Sequence, residues 1–154
     1  MAKPVVIPAA RAKLVQVFGG DIYLTMPSDE AGTGLSVFED VRGPGDGPPL
    51  HVHHNEDEVF RIIEGRYRVR VGEEMFDAGP GDTLLLPRGV PHTFVITGEG
   101  TGRVLVILQP GGFERFFLDV ADQGLQVPGD MGRIVELAAR YKLEFLGPNP
   151  FTGR

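Results

Sequence analysis

Three of the chain's four histidines lie in one run, Leu50-His51-Val52-His53-His54-Asn55-Glu56-Asp57-Glu58, and the fourth, His92, follows Pro87-Arg88-Gly89-Val90-Pro91. His51 and His53 are two positions apart, so on an extended strand both side chains leave the same face, roughly 6–7 Å apart at Cα. From there two imidazoles can converge on one ion through bonds of about 2.0–2.1 Å. Glu58 adds a carboxylate, and His92 can close the set from a neighbouring strand. Three neutral imidazoles and one carboxylate suit one divalent first-row transition metal per chain, with Fe, Mn, Ni, Cu and Zn all compatible. His54 falls on the opposite face by alternation and is expected at the surface or an interface. A His-x-His pair alone also occurs in ordinary strands; the residues around it carry the argument.

The elements that must position these groups read as β-structure. Twenty-two glycines and 13 prolines punctuate short apolar runs, the pattern of an all-β domain with many tight turns. Residues 21–26 and 35–41 read as early strands joined by the polar 27–34 segment, and the turn-rich 43–49 loop delivers the chain to His51. In the strand 58–63, Glu58, Phe60 and Ile62 share a face. Tyr67, Val69 and Val71 alternate with Arg66, Arg68 and Arg70, a half-buried strand. Residues 83–86 form an apolar strand ended by Pro87; His92, Phe94 and Ile96 share a face, and 103–108 is an apolar run expected to be buried on both sides. About eight strands suffice for a closed jelly-roll barrel with a ligand cavity at its mouth. After Pro110 the period changes: Phe113, Phe116, Phe117 and Val120 form a helical stripe, and Ile134, Leu137, Ala138 and Tyr141 form another, with Asp130 placed to cap it.

Composition narrows the function. At 154 residues, 42% hydrophobic and 23% charged, the chain is expected to be one globular domain with a real core. A net charge of −6 argues against nucleic acid or an anionic membrane as partner. The absence of cysteine removes disulfides, thiolate ligands and cysteine nucleophiles. With no signal-peptide pattern and no apolar run near 20 residues, the expected location is cytoplasmic.

Two spaced patterns organise the candidate ligands: Gly45, five residues, His51, one, His53, four, Glu58, six, Gly65; then Gly81, five, Pro87, one, Gly89, two, His92, with 15 residues between Gly65 and Gly81. Together they resemble the two signature motifs of the cupin superfamily, in order and at family spacing. Gly111 to Phe117 and Ala138 to Pro148 resemble the tail of small bacterial cupins related to quercetin 2,3-dioxygenases, so the likeness covers roughly residues 20–150. The resemblance implies a double-stranded β-helix, or jelly-roll, barrel over about 20–110, with short C-terminal helices over about 111–154 of a single 1–154 domain. Glu58 competes with Glu56 and Asp57 for the carboxylate role; family spacing selects Glu58 and leaves the other two as ordinary acids of the connecting turn. Where cupins often carry asparagine, four positions after the second-motif histidine, this chain has Ile96, which removes a possible hydrogen-bonding group near the site.

The resemblance implies metal ligands His51, His53, Glu58 and His92, with Glu58 also a candidate catalytic base. Pocket walls are expected from Phe60, Ile62, Tyr67, Phe94 and Ile96, with Phe38 and Phe76 as further candidates. Such an aromatic cavity suits a small aromatic or partly apolar oxygenated substrate. No inward Lys or Arg is evident to hold a sugar phosphate. The expected activity is that of a metal-dependent dioxygenase; a non-catalytic small-molecule-binding cupin and a metal-assisted isomerase or cyclase are the alternatives. The fold also implies a homodimer, since exposed sheet edges invite a second chain.

Overall fold

The computed structural model describes residues 4–28 and 34–154. Residues 1–3 and 29–33, the latter most of the 27–34 connection, lie outside the described residues. After one turn of 3-10 helix at Ala9–Arg11, the chain forms β1 (Lys13–Val17), β2 (Gly20–Met26), β3 (Ser36–Arg42), β4 (Leu50–His53), β5 (Asp57–Glu64), β6 (Arg66–Val71), β7 (Glu74–Ala78), β8 (Thr83–Leu86), β9 (His92–Thr97) and β10 (Gly102–Gln109). Two helices, α1 (Glu114–Asp122) and α2 (Met131–Arg140), precede the last strand, β11 (Leu143–Gly147).

The strands form two antiparallel sheets, ordered β1-β2-β3-β10-β5-β8 and β11-β4-β9-β6-β7. The expected closed barrel is corrected here: the double-stranded β-helix architecture is present, but the sheets keep separate ladders. The physical cause is visible where the chain changes sheets. After β7 it leaves the five-stranded sheet, Gly81 N–H donates to Ile62 O and Ile62 N–H donates to Asp82 O, and β8 then pairs with β5 rather than with β7.

Alternation aims one face of each sheet inward. Phe60 and Ile62 of β5 and Val104, Val106 and Leu108 of β10 are buried, each such side chain contributing about 1.5–3 kcal/mol of transfer free energy. The expectation that 103–108 is buried on both faces does not hold, because Arg103, Leu105 and Ile107 are only half-buried on the outer face. The alternating strand at Arg66–Val71 is observed, with Tyr67 and Val69 inside. β1, β7 and β11 were not anticipated: β1 and β7 are short edge strands of hairpins with β2 and β6, and β11 is held by the distant β4. Gly65 (φ +84°) turns β5 into β6, and a Cβ there would fall 2.5 Å from Thr101 O.

The helices seal one region of the core. Phe113, Phe116 and Val120 are buried from α1 and the residue before it, as are Ile134, Leu137 and Ala138 from α2. Asp130 precedes α2 but does not cap it: its Oδ2 accepts instead from Gln126 N–H at 2.9 Å. Glu114, 2% exposed, fastens α1 to the larger sheet by accepting from Ser28 N–H and Oγ–H at 2.6 Å and from the Ser36 hydroxyl.

Candidate metal centre

The two sheets bring His51, His53, Glu58 and His92 to one point, with one ligand atom from each within 4.8 Å of the others. The histidines come from the smaller sheet: His51 and His53 lie on β4, and His51 sits directly opposite His92 of β9. Glu58 projects from β5 of the facing sheet. The imidazole centroids of His51 and His92 are 4.5 Å apart, and those of His53 and His92 are 5.5 Å apart and near parallel. His54 points away: about half of its side chain is exposed and its Nε2 meets Glu144 Oε2 at 2.8 Å.

Backbone carbonyls orient two of the rings. His51 Nδ1 lies 2.8 Å from Pro49 O and His92 Nδ1 lies 3.1 Å from Val90 O. A carbonyl only accepts, so both Nδ1 atoms carry hydrogen and, in the neutral ring, both Nε2 atoms present lone pairs. His92 Nε2 then faces Glu58 Oε2 at 3.0 Å, and His53 Nε2 lies 3.6 Å from the same oxygen. Two acceptors at 3.0 Å repel unless a proton or a cation lies between them. Both atoms, His92 Nε2 and Glu58 Oε2, are buried without a hydrogen-bond partner among the described residues, as are His53 Nδ1 and Glu56 Oε2. Buried polar groups are rarely left so. A divalent cation satisfies several of them at once, so the donor set fits a transition metal.

The electrostatics agree. Burial drives the His51 imidazole well below its ordinary value, and neighbouring His92 and His53 push it further, so it is the neutral, ligating form at neutral pH. Burial pushes the Glu58 carboxyl up, but positive charge on the His92 and His53 rings beside it outweighs this and holds it below the usual range.

A narrow cavity of about 60 Å³ adjoins the ligands, lined by His51, His53 and Glu58 together with Phe38, Phe60, Phe94 and Phe113. Phe113 packs its ring edge-on against His53 at 4.5 Å, so α1 closes the cavity beside the ligands. A larger open cleft of about 480 Å³ beside the β1–β2 turn holds none of the four candidate ligands.

The expected wall residues divide. Phe38, Phe60 and Phe94 line the cavity; Ile62, Tyr67 and Ile96 are fully buried core residues instead. Phe76 is 42% exposed on β7, because the edge strand turns that face to solvent. An inward arginine is present, contrary to expectation: Asp40 and Arg42 are buried on β3 and line the same cavity. Arg42 Nε donates to Asp40 Oδ1 at 2.9 Å, and its guanidinium lies 5.7 Å from the Phe94 centroid. Burial pushes the Asp40 carboxyl up against the opposing pull of Arg42. The alternation Phe38-Asp40-Arg42 was the available signal; charged residues at such positions read as outward-facing.

Glu56 is not a turn acid either, being 4% exposed with Oε2 3.5 Å from His53 Nδ1. Asn149, fully buried in the C-terminal tail, donates from Nδ2 to Pro48 O and Phe94 O at 2.9 Å, tying the segments that carry His51 and His92. Nothing in its local sequence marks that role. The same junction demands Gly47, where a Cβ would fall 1.9 Å from Phe94 O.

Residues 41–108, which contain all four candidate ligands, match the Cupin domain family. Over this stretch the chain carries a cupin domain. This cupin is 29% identical over 87 residues to an uncharacterised protein of Methanocaldococcus jannaschii, covering 56% of this chain and 70% of that one. It is 26% identical over 105 residues to a quercetin 2,3-dioxygenase of Bacillus subtilis, covering 68% of this chain but only 31% of the dioxygenase. Among solved structures it is similar to the polyketide cyclase RemF of Streptomyces resistomycificus, with TM-score 0.56, 27% identity and coverage of 71% of this chain and 80% of that one. No helix among the described residues is long and apolar enough to cross a membrane.

Proposed function

We propose that this cupin is a mononuclear metal-dependent dioxygenase acting on a small, aromatic or partly apolar oxygenated substrate. The observation that carries this reading is the buried His51–His53–Glu58–His92 cluster opening onto an aromatic cavity. The likeness to a quercetin 2,3-dioxygenase supports the reaction class. When bound, a first-row ion supplies Lewis-acid and one-electron redox chemistry.

The chain's own residues supply the rest. His51 and His92 stay fixed through their Nδ1 hydrogen bonds, so neither ring needs to reorient. Glu58, ionised and facing the cavity, accepts a substrate hydroxyl proton at a carboxylate oxygen. Phe38, Phe60 and Phe94 exclude water and present flat apolar surfaces. The cavity of about 60 Å³ is far below the roughly 300–1,000 Å³ of common ligand sites, which favours catechol-sized substrates over flavonols. The likeness to a polyketide cyclase supports a second reading, a metal-assisted cyclisation in which the same carboxylate moves the proton without net oxidation.

Oxygen uptake by Fe-, Mn- and Ni-loaded protein against catechols and flavonols tests the proposal, with uptake expected for the smaller compounds. Substrate conversion without oxygen uptake favours the cyclase; binding without conversion refutes both and leaves a binding protein.

A further inference from the structure

We infer that Glu56 is a positioning residue for the metal site, holding His53 through Nδ1 and supplying a second negative charge that makes the buried centre electroneutral. This rests on reading His51, His53, Glu58 and His92 as ligands. The three histidines are not equivalent. His51 and His92 each meet a backbone carbonyl through Nδ1, whereas the group facing His53 Nδ1 is the Glu56 carboxylate, Oε2 at 3.5 Å. Among the described residues neither of those two atoms has a hydrogen-bond partner, and both are buried. With Nδ1 facing Glu56, His53 turns Nε2 toward Glu58 and the shared point.

Charge explains why a carboxylate belongs there. A divalent ion with Glu58 alone leaves one positive charge inside the protein, and an uncompensated buried charge costs several kcal/mol. Glu56, 4% exposed, cancels it. A carboxylate hydrogen-bonded to a ligating imidazole also raises the basicity of that ligand. A purely structural role accounts poorly for Glu56. A separation of 3.5 Å is beyond the normal hydrogen-bond range, and among the described residues Asn55 Nδ2 at 3.1 Å is the one hydrogen-bond donor to the Glu56 carboxylate. Without the ion, the carboxylate is therefore poorly compensated.

Co²⁺ serves as the probe, its Kd measured by chelator competition for wild type, Glu56→Gln, Glu56→Ala and Glu144→Gln. The last disrupts the analogous but exposed His54–Glu144 contact. Loss of such supporting groups typically weakens metal binding by about 10–100-fold. We expect Glu56→Gln near the lower figure, Glu56→Ala near the upper, and Glu144→Gln at the wild-type value. Melting of the metal-free protein separates positioning from simple structure: Glu56→Gln should melt at or above wild type without metal, and below it with Co²⁺. Co²⁺ affinities of both Glu56 variants equal to wild type overturn the inference, as does a Glu56→Gln variant whose metal-free form is destabilised as much as its Co²⁺ form. Failure of wild type to bind Co²⁺ overturns the ligand assignment as well.

Discussion

Replacing His53 with alanine should abolish most of the stabilisation that metal gives this protein, while His54→Ala, one residue away, should abolish none. His53 is 3% exposed, its Nε2 lies 3.6 Å from Glu58 Oε2 and its ring packs under Phe113. His54 is outside, against Glu144. An ion that binds only the folded state stabilises it by RT ln(1 + [L]/Kd), about 2.7 kcal/mol at 100 times Kd. At roughly 2–4 °C per kcal/mol for a domain of this size, wild type should gain about 5–11 °C in Tm. Removing a ligand should weaken binding at least as much as removing a supporting group, about 100-fold at the upper end. At the same free metal concentration the ratio falls to about one, leaving about 0.4 kcal/mol and a shift near 1 °C. The assay is thermal unfolding of each variant with and without Zn²⁺ or Co²⁺, each compared with its own metal-free form, so that packing lost with the imidazole cancels. Equal metal-induced shifts in the two variants would refute the ligand assignment.

Glu58→Gln keeps an oxygen donor but removes the base, so turnover should fall by about 10²–10⁴-fold while metal content, read by elemental analysis, falls far less; parallel losses would argue against a separate proton-transfer role. Because the folded value of His51 lies well below its ordinary 6.5, the unfolded chain takes up that proton first as pH falls. The metal-free protein should therefore lose stability below about pH 6.5, by up to about 1.4 kcal/mol per pH unit from this group. Urea unfolding at pH 7.5, 6.5 and 5.5 checks this, and constant stability would contradict it. Arg42→Met should cost about 3–5 kcal/mol by leaving Asp40 buried and unpaired, and adding Asp40→Leu should restore most of it; denaturant titration of both variants is the measurement.

How much was legible in the sequence varies from residue to residue. The spacing of His51 and His53 is local, and period-2 alternation alone puts both on one face and His54 on the other. The inward faces of β5, β6 and β9 follow from the same alternation, and the change of period after Pro110 marks two helices. Glycine spacing announces turns, and the turn at Gly65 has the positive φ that such a spacing invites.

Tertiary packing decided what depends on distant partners. Strand β11 exists because β4 offers it an edge, and the sheets stay separate because β8 joins β5. Burial of charge depends on the same packing. Asp40, Arg42 and Glu56 look like surface residues by type. Their partners are close in sequence, Arg42 for Asp40 and the His53 ring for Glu56, but only the assembled sheets take them out of water. A strand's alternation specifies which side chains share a face, but whether that face is covered is decided by elements far away along the chain. The histidine pattern was therefore readable from sequence, whereas the second carboxylate and the inward arginine were not.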